Sequence, residues 1–173
     1  MGLDMYLKIR KEEYVSKYSS CPTLSLTYPE DITKFIPQNG EAINGTFASV
    51  CRTTEYKVGY WRKANAIHNW FLESCGPRDH DGDVIDDCRP IEVPVEALKE
   101  LVEICKKVLD DHDLAEELLP TQSGFFFGPT EYDEYYFDDL EDTVKTITPI
   151  IAFLEEKLEK KEFEWDVIYQ ASW

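Results

Sequence analysis

The sequence predicts an α+β fold: a mixed, mainly antiparallel sheet of about four to six strands packed against about three or four helices in a single domain. Three observations carry this. Short alternating segments and longer 3.6-period segments are interspersed along the chain. At 173 residues the chain is long enough for a real hydrophobic core. Its hydrophobic content of 43% and aromatic content of 13% are too high for a disordered polymer.

The elements follow in order. Leu3, Met5, Leu7 and Ile9 alternate with Asp4, Tyr6, Lys8 and Arg10, so residues 3–10 read as a half-buried strand. Residues 19–50 are rich in proline, glycine, hydroxyls and amides and read as an irregular loop or insertion. Glu55 to Trp61 reads as a second strand and Arg62 to Cys75 as a helix broken by Gly76-Pro77. On that helix Ala64, His68, Phe71, Leu72 and Cys75 share one face, and Arg62, Asn65 and Asn69 another. Pro90 to Val93 is a short strand. From Val95 a helix buries Leu98, Leu101, Val102, Cys105 and Val108, and a short helical segment covers Leu114 to Leu119. Ser123 to Gly128 reads as a compact buried strand. A long amphipathic helix runs from about Glu134 to Lys160, with Pro149 expected to kink or divide it, and Phe163 to Ala171 closes the chain as a strand.

Charge narrows the function. Thirty-five acidic against 18 basic side chains give a formal net charge of −17. Such a field repels nucleic acid and anionic membranes and attracts basic partners. No apolar run approaches the length of a membrane span. Met1 to Tyr6 reads as a strand and not as a leader, so the five cysteines are expected as free thiols in a reducing cytoplasm. No phosphate-loop, HExxH or GxSxG motif is present, and no cofactor is implied.

One stretch departs from the acidic background. Between Gly59 and Phe71, Tyr60, Trp61 and Trp70 offer flat faces, Arg62 and Lys63 cations, and Asn65 and His68 directional hydrogen bonds. With free N–H groups at the start of a helix near Arg62, this palette suits a phosphate- or base-bearing ligand. It equally suits core tryptophans with Arg62 and Lys63 paired to nearby carboxylates. His68 shares a face with Phe71 and Cys75, which favours a satisfied buried histidine over a catalytic one. The residues 131–142 hold seven acids and no base. They read as a solvated helix start, as a partner for Arg62 or Lys63, or as a mimic of a nucleic-acid backbone. Asp79 to Asp87 hints at a calcium loop but lacks acids at two required positions, and Cys75, His80 and Cys88 fit no familiar zinc spacing. The terminal Trp173 is expected to dock, with its carboxylate near Arg62 or Lys63.

Four blocks, Met1-Gly2-Leu3-Asp4-Met5-Tyr6-Leu7, Tyr60 to His68, Ser123 to Gly128 with Tyr132-Asp133, and Tyr169-Gln170-Ala171-Ser172-Trp173, occur in this order. Together they resemble a family of small uncharacterised proteins of tailed bacteriophages and prophages. The resemblance implies a phage accessory protein in the bacterial cytoplasm and no known reaction. The ligand-binding set taken from the sequence is therefore Tyr60, Trp61, Arg62, Lys63, Asn65, His68, Trp70, Tyr132 and Asp133, with no catalytic residue and no metal ligand. The expected function is binding: a host protein through the acidic surface, or a nucleotide-like small molecule, in a role that counters host defence. Self-association is compatible with the sequence. The alternative is a small hydrolase or transferase acting on a nucleotide or phosphoester, with His68 as general acid or base and Arg62 or Lys63 holding the phosphate.

Overall fold

The computed structural model describes residues 2–15, 42–43, 46–47 and 50–173, and the side-chain surroundings of 2–12 and 53–173. The expected insertion at 19–50 therefore lies largely outside the described residues. Two compact units divide the chain: Met1–Arg10 with Glu55–Trp173, and Lys11–Thr54.

Six strands and four α-helices are described. They are β1 (Asp4–Val15), β2 (Ala42–Ile43), β3 (Thr46–Phe47), β4 (Val50–Arg62), α1 (Asn65–Cys75), β5 (Ile91–Glu92), α2 (Val95–Asp110), α3 (Ala115–Leu118), α4 (Glu134–Glu159) and β6 (Trp165–Ser172). A 3-10 turn over His112–Leu114 leads into α3. The fold is α+β, with a four-stranded antiparallel sheet in the order β4-β1-β6-β5. Within the smaller unit, β2 and β3 form a separate hairpin that pairs Ala42 with Phe47 and Ile43 with Thr46.

The period-2 pattern of β1 sends Leu3, Met5, Leu7 and Ile9 into the core. On the other face Lys8 and Arg10 both bind Glu55, at 3.2 and 2.7 Å. In β4 the alternation breaks. Val58 packs on the core, and Gly59 also faces inward, towards Leu7, Trp61 and Thr146. Lys57 and Tyr60 both meet Tyr6 on the outer face. Two successive inward residues mark a β-bulge, which the sequence pattern did not reveal.

The apolar stripe of α2 buries Leu98, Leu101, Val102, Cys105 and Val108, as its periodicity predicts, and this stripe packs along α4. The long helix α4 runs unbroken through Pro149. Asp133 caps it by accepting a hydrogen bond from the Tyr136 N–H at 3.1 Å.

Two elements differ from expectation. The segment 123–128 is not a buried strand: it is a turn whose tip, Phe125, is 94% exposed. A Phe-rich run between glycines satisfies a strand pattern, but of the three only Phe127 is buried, with Phe126 partly buried against the core. The helix expected from Arg62 begins at Asn65 instead. Arg62 ends β4, and Lys63 takes a left-handed backbone with φ of 64°. That turn redirects the chain from strand to helix.

At Gly59 an added Cβ would lie 2.9 Å from the Thr146 methyl and 3.1 Å from Leu7. Gly59→Ala is expected to lower unfolding stability by about 1–3 kcal/mol in chemical denaturation. A change within about 0.5 kcal/mol would show that the bulge does not hold these side chains in contact.

Candidate functional site

The strand-to-helix junction that ends at α1 forms one wall of a cleft. The loop 121–131 and the first two turns of α4 form the rest, enclosing about 280 Å³. Asn65 ties the walls together. Its Nδ2 donates to the carbonyls of Phe127 (3.2 Å) and Pro129 (2.7 Å), and its Oδ1 accepts from the Gln122 N–H at 3.0 Å. Every polar atom of this buried side chain is therefore committed to the loop. The chain also pinches there: a Cβ at Gly128, where φ is 92°, would meet the Lys63 Cβ at 3.1 Å. The stem of Lys63 packs against backbone while its ammonium stays exposed.

The structure places Arg62, Lys63, Asn65 and Asp133 around this cleft. Arg62 stands 4.0 Å from Asp4, while Lys63 makes no ion pair among the described residues. Tyr60 sits on the outer face of the sheet, its hydroxyl donating to Asp4 at 2.6 Å. Tyr132 leans edge-on against Tyr136 at 5.0 Å.

Trp61 and Trp70 are 4% and 7% exposed and pack on Phe71. His68 is fully buried, and both ring nitrogens are engaged: Nδ1 with the Tyr169 hydroxyl at 2.7 Å, Nε2 with Asp86 at 3.2 Å. A carboxylate only accepts, so Nε2 carries the proton and Tyr169 donates to Nδ1. Burial holds the imidazole below its ordinary pKa, and the hydrogen bond and charge of Asp86 only partly oppose it. Tyr169, stacked on Phe71 at 4.2 Å, is raised by the same desolvation. The space beside this chain of hydrogen bonds is only about 10 Å³, too small for a substrate. Trp173 docks as expected, edge-on to Phe127 at 6.0 Å and donating its Nε1–H to Asp86 at 3.4 Å. Its carboxylate forms no ion pair with Arg62 or Lys63 among the described residues.

Four carboxylates, Glu131, Asp133, Asp138 and Asp139, line the cleft against the two cations. None lies within ion-pair distance of Arg62 or Lys63 among the described residues. Asp139 differs from the others. Burial first, then the charges of Asp142, Asp138 and Asp133, push its carboxyl up to about 7. In the sequence it is one acid in a run of seven. Its position, three residues from Tyr136 and four from Thr143, puts it at the flank of the buried stripe, which was a readable signal.

Elsewhere, Asp79, His80 and Asp81 bring their donor atoms within 4.8 Å of one another. All three are exposed, and Asp79 already accepts the N–H groups of Asp81 and Asp83. The thiols of Cys75, Cys88 and Cys105 are free, and burial pushes Cys105 up to about 12. No helix among the described residues is long and apolar enough to cross a membrane. No protein-family model, curated protein or solved structure matches this chain.

Asp139 and His68 oppose each other on the acid side of pH 6.5, so their net effect is a fall in stability as pH rises from 6.5 through about 7. The raised carboxyl of Asp139 takes up a proton on folding, so its contribution is complete below its ordinary value of 3.8 and is lost as pH rises through about 7. His68 resists protonation in the fold, so its contribution is complete above 6.5 and is lost as pH falls below that value. Denaturation across pH tests this. Asp139→Asn should gain roughly 1–2 kcal/mol near pH 8, after discounting for solvent screening, and little near pH 4. An equal gain at both pH values would contradict the assignment.

Proposed function

We propose that the protein acts by binding, and that its partner is a basic segment of another protein that docks on the solvent face of α4 and the cleft at its start. The observation that carries this reading is the division of side chains around His68. The indoles of Trp61 and Trp70 are core and the ring of Tyr60 lies away from the cleft on the outer face of the sheet, whereas the acids are at the surface. Along α4, Glu134, Tyr135, Asp138, Glu141 and Asp142 are all exposed, at spacings that place them on one side of the helix. Interleaved tyrosine adds contact area at low entropic cost. Fixed carboxylates on a helix steer a cationic partner and set its register.

The resemblance to small proteins of tailed phages and prophages supports a bacterial cytoplasmic setting, a host protein as partner, and a role in countering host defence. A second reading, a small anion such as a nucleotide phosphate, is favoured by one specific observation. Arg62, Lys63 and the start of α1, which has no acid in its first turn and no side-chain cap, share a wall of the cleft. The hydrolase alternative loses support, because His68 is sealed between Tyr169 and Asp86.

Nona-arginine binding, followed by fluorescence anisotropy, separates surface recognition from bulk charge. Asp138→Lys with Asp142→Lys should weaken it roughly tenfold, while Glu116→Lys with Glu117→Lys, the same charge change on α3, should alter it less than about twofold. Equal weakening by the two pairs would overturn the reading. A nucleotide-induced rise in melting temperature that Lys63→Glu abolishes would instead establish the small-anion reading.

A further inference from the structure

A second concavity lies at the far end of α4 from the cleft. It is bounded by the segment 92–96 at the start of α2, by the last turns of α4, and by the start of β6, and it encloses about 290 Å³. Its apolar surface comes from Pro94, Val95, Leu154, Leu158 and Trp165. Leu154 is core, but Leu158 is 48% exposed although it lies on the flank of the buried stripe. A leucine in that position has an apolar neighbour on one side and water on the other. In the segment between α4 and β6, Phe163 adds another exposed ring.

The rim of this groove is acidic. Glu92, Glu96, Glu162 and Asp166 stand around it with one cation, Lys157. That lysine is already neutralised: its ammonium binds Glu162 at 2.8 Å and lies over the rings of Phe153 and Trp165, at 5.4 and 5.5 Å. Glu162 is held below its ordinary pKa by this hydrogen bond, so the pair stays charged and internally satisfied. Three carboxylates, Glu92, Glu96 and Asp166, have no ion-pair partner among the described residues. An apolar floor inside a predominantly anionic rim selects a particular ligand chemistry. A neutral apolar segment would fill the floor and leave the field unanswered, and an acidic segment would be repelled. A bulky apolar side chain flanked by lysine or arginine satisfies both parts, and the volume holds one such side chain.

We propose that this groove is a peptide-docking site that takes a single large apolar anchor, phenylalanine, leucine or tryptophan, flanked on both sides by basic residues. The site is separate from the cleft at the start of α4. The floor supplies affinity through burial of the anchor, and the carboxylates supply orientation and selectivity. Basic residues of the ligand meet the Glu92 and Glu96 side on one flank and the Asp166 side on the other.

The probes are two blocked pentapeptides, acetyl-Lys-Lys-Phe-Lys-Lys-amide and its alanine-centred counterpart. Binding is followed by NMR shifts of the Trp165 indole N–H, a resonance inside the groove. The phenylalanine probe is expected to bind at least roughly tenfold more tightly than the alanine probe. Leu158→Asp should remove that advantage while far-UV circular dichroism stays unchanged, since the side chain is half in solvent. Leu158→Ala should give an intermediate loss and serves if the aspartate variant misfolds. Asp138→Lys, in the cleft, should leave the anchor preference intact, so failure of the proposal above and failure of this one are distinguishable. Equal affinity for the two probes would overturn the inference, because charge alone would then explain binding. So would an anchor preference that survives both Leu158 variants, or one that Asp138→Lys abolishes.

Discussion

The hydrogen bonds at the two ends of His68 are the constraint on which the rest of the structure depends. A buried imidazole with an unfilled nitrogen is costly, so the residue is tolerated only where both nitrogens find partners. Tyr169 of β6 fills one and Asp86 fills the other, which binds α1 both to the sheet and to the loop 78–89. Phe71 then stacks on Tyr169, and Trp61 and Trp70 close around Phe71. Asp86 also accepts from Trp173, so the same carboxylate anchors the C-terminal residue. A stretch that offers a full set of ligand-binding groups is thereby spent largely on the interior.

What remains at the surface follows from that commitment. Asn65, one turn before His68, spends all its polar atoms on the loop 122–129, which sets the cleft wall and holds Phe127 in the core. Lys63 reverses the backbone between strand and helix and is left at the cleft edge. Opposite it, Asp133 caps α4, so the most acidic segment of the chain begins at a helix N-terminus, where the dipole stabilises it. Asp139 is the exception, carried inward by the helix period until its neighbours and its burial disfavour ionisation. The anionic face is thus a consequence of how α4 is capped and turned, and the binding role proposed for it uses charges that the fold already places.

Much of this fold was legible in the residues. The alternation of Leu3, Met5, Leu7 and Ile9 and the 3.6-residue spacing of Leu98, Leu101, Val102, Cys105 and Val108 each specify one buried face, and the structure buries those residues. The bulge at Val58-Gly59 was not legible, because it depends on Gly59 fitting against Thr146 from a helix far along the chain. Three consecutive phenylalanines looked like a strand because hydrophobicity does not encode direction, and the turn that exposes Phe125 is set by Gly124, Gly128 and the Asn65 clamp. The cleft was partly legible: Arg62, Lys63, Asn65 and Asp133 do meet. The roles of Trp61, Trp70 and His68 were not, since a tryptophan reads alike in a pocket and in a core, and the partners of His68 lie 18 and 101 residues away. The groove around Leu158 was not legible, because its walls come from three separate segments.

The most direct test of this account is the protonation state of one ring. A long-range nitrogen–proton NMR spectrum of the His68 imidazole near pH 7 should show a neutral side chain protonated at Nε2, with Nδ1 accepting from Tyr169. That form should persist below the ordinary histidine pKa. An Nδ1-protonated tautomer, or a ring that titrates near 6.5 like an exposed histidine, would mean that His68 is not the strut that seals α1 to the sheet. The tryptophans and cations around it would then be free to form a ligand pocket.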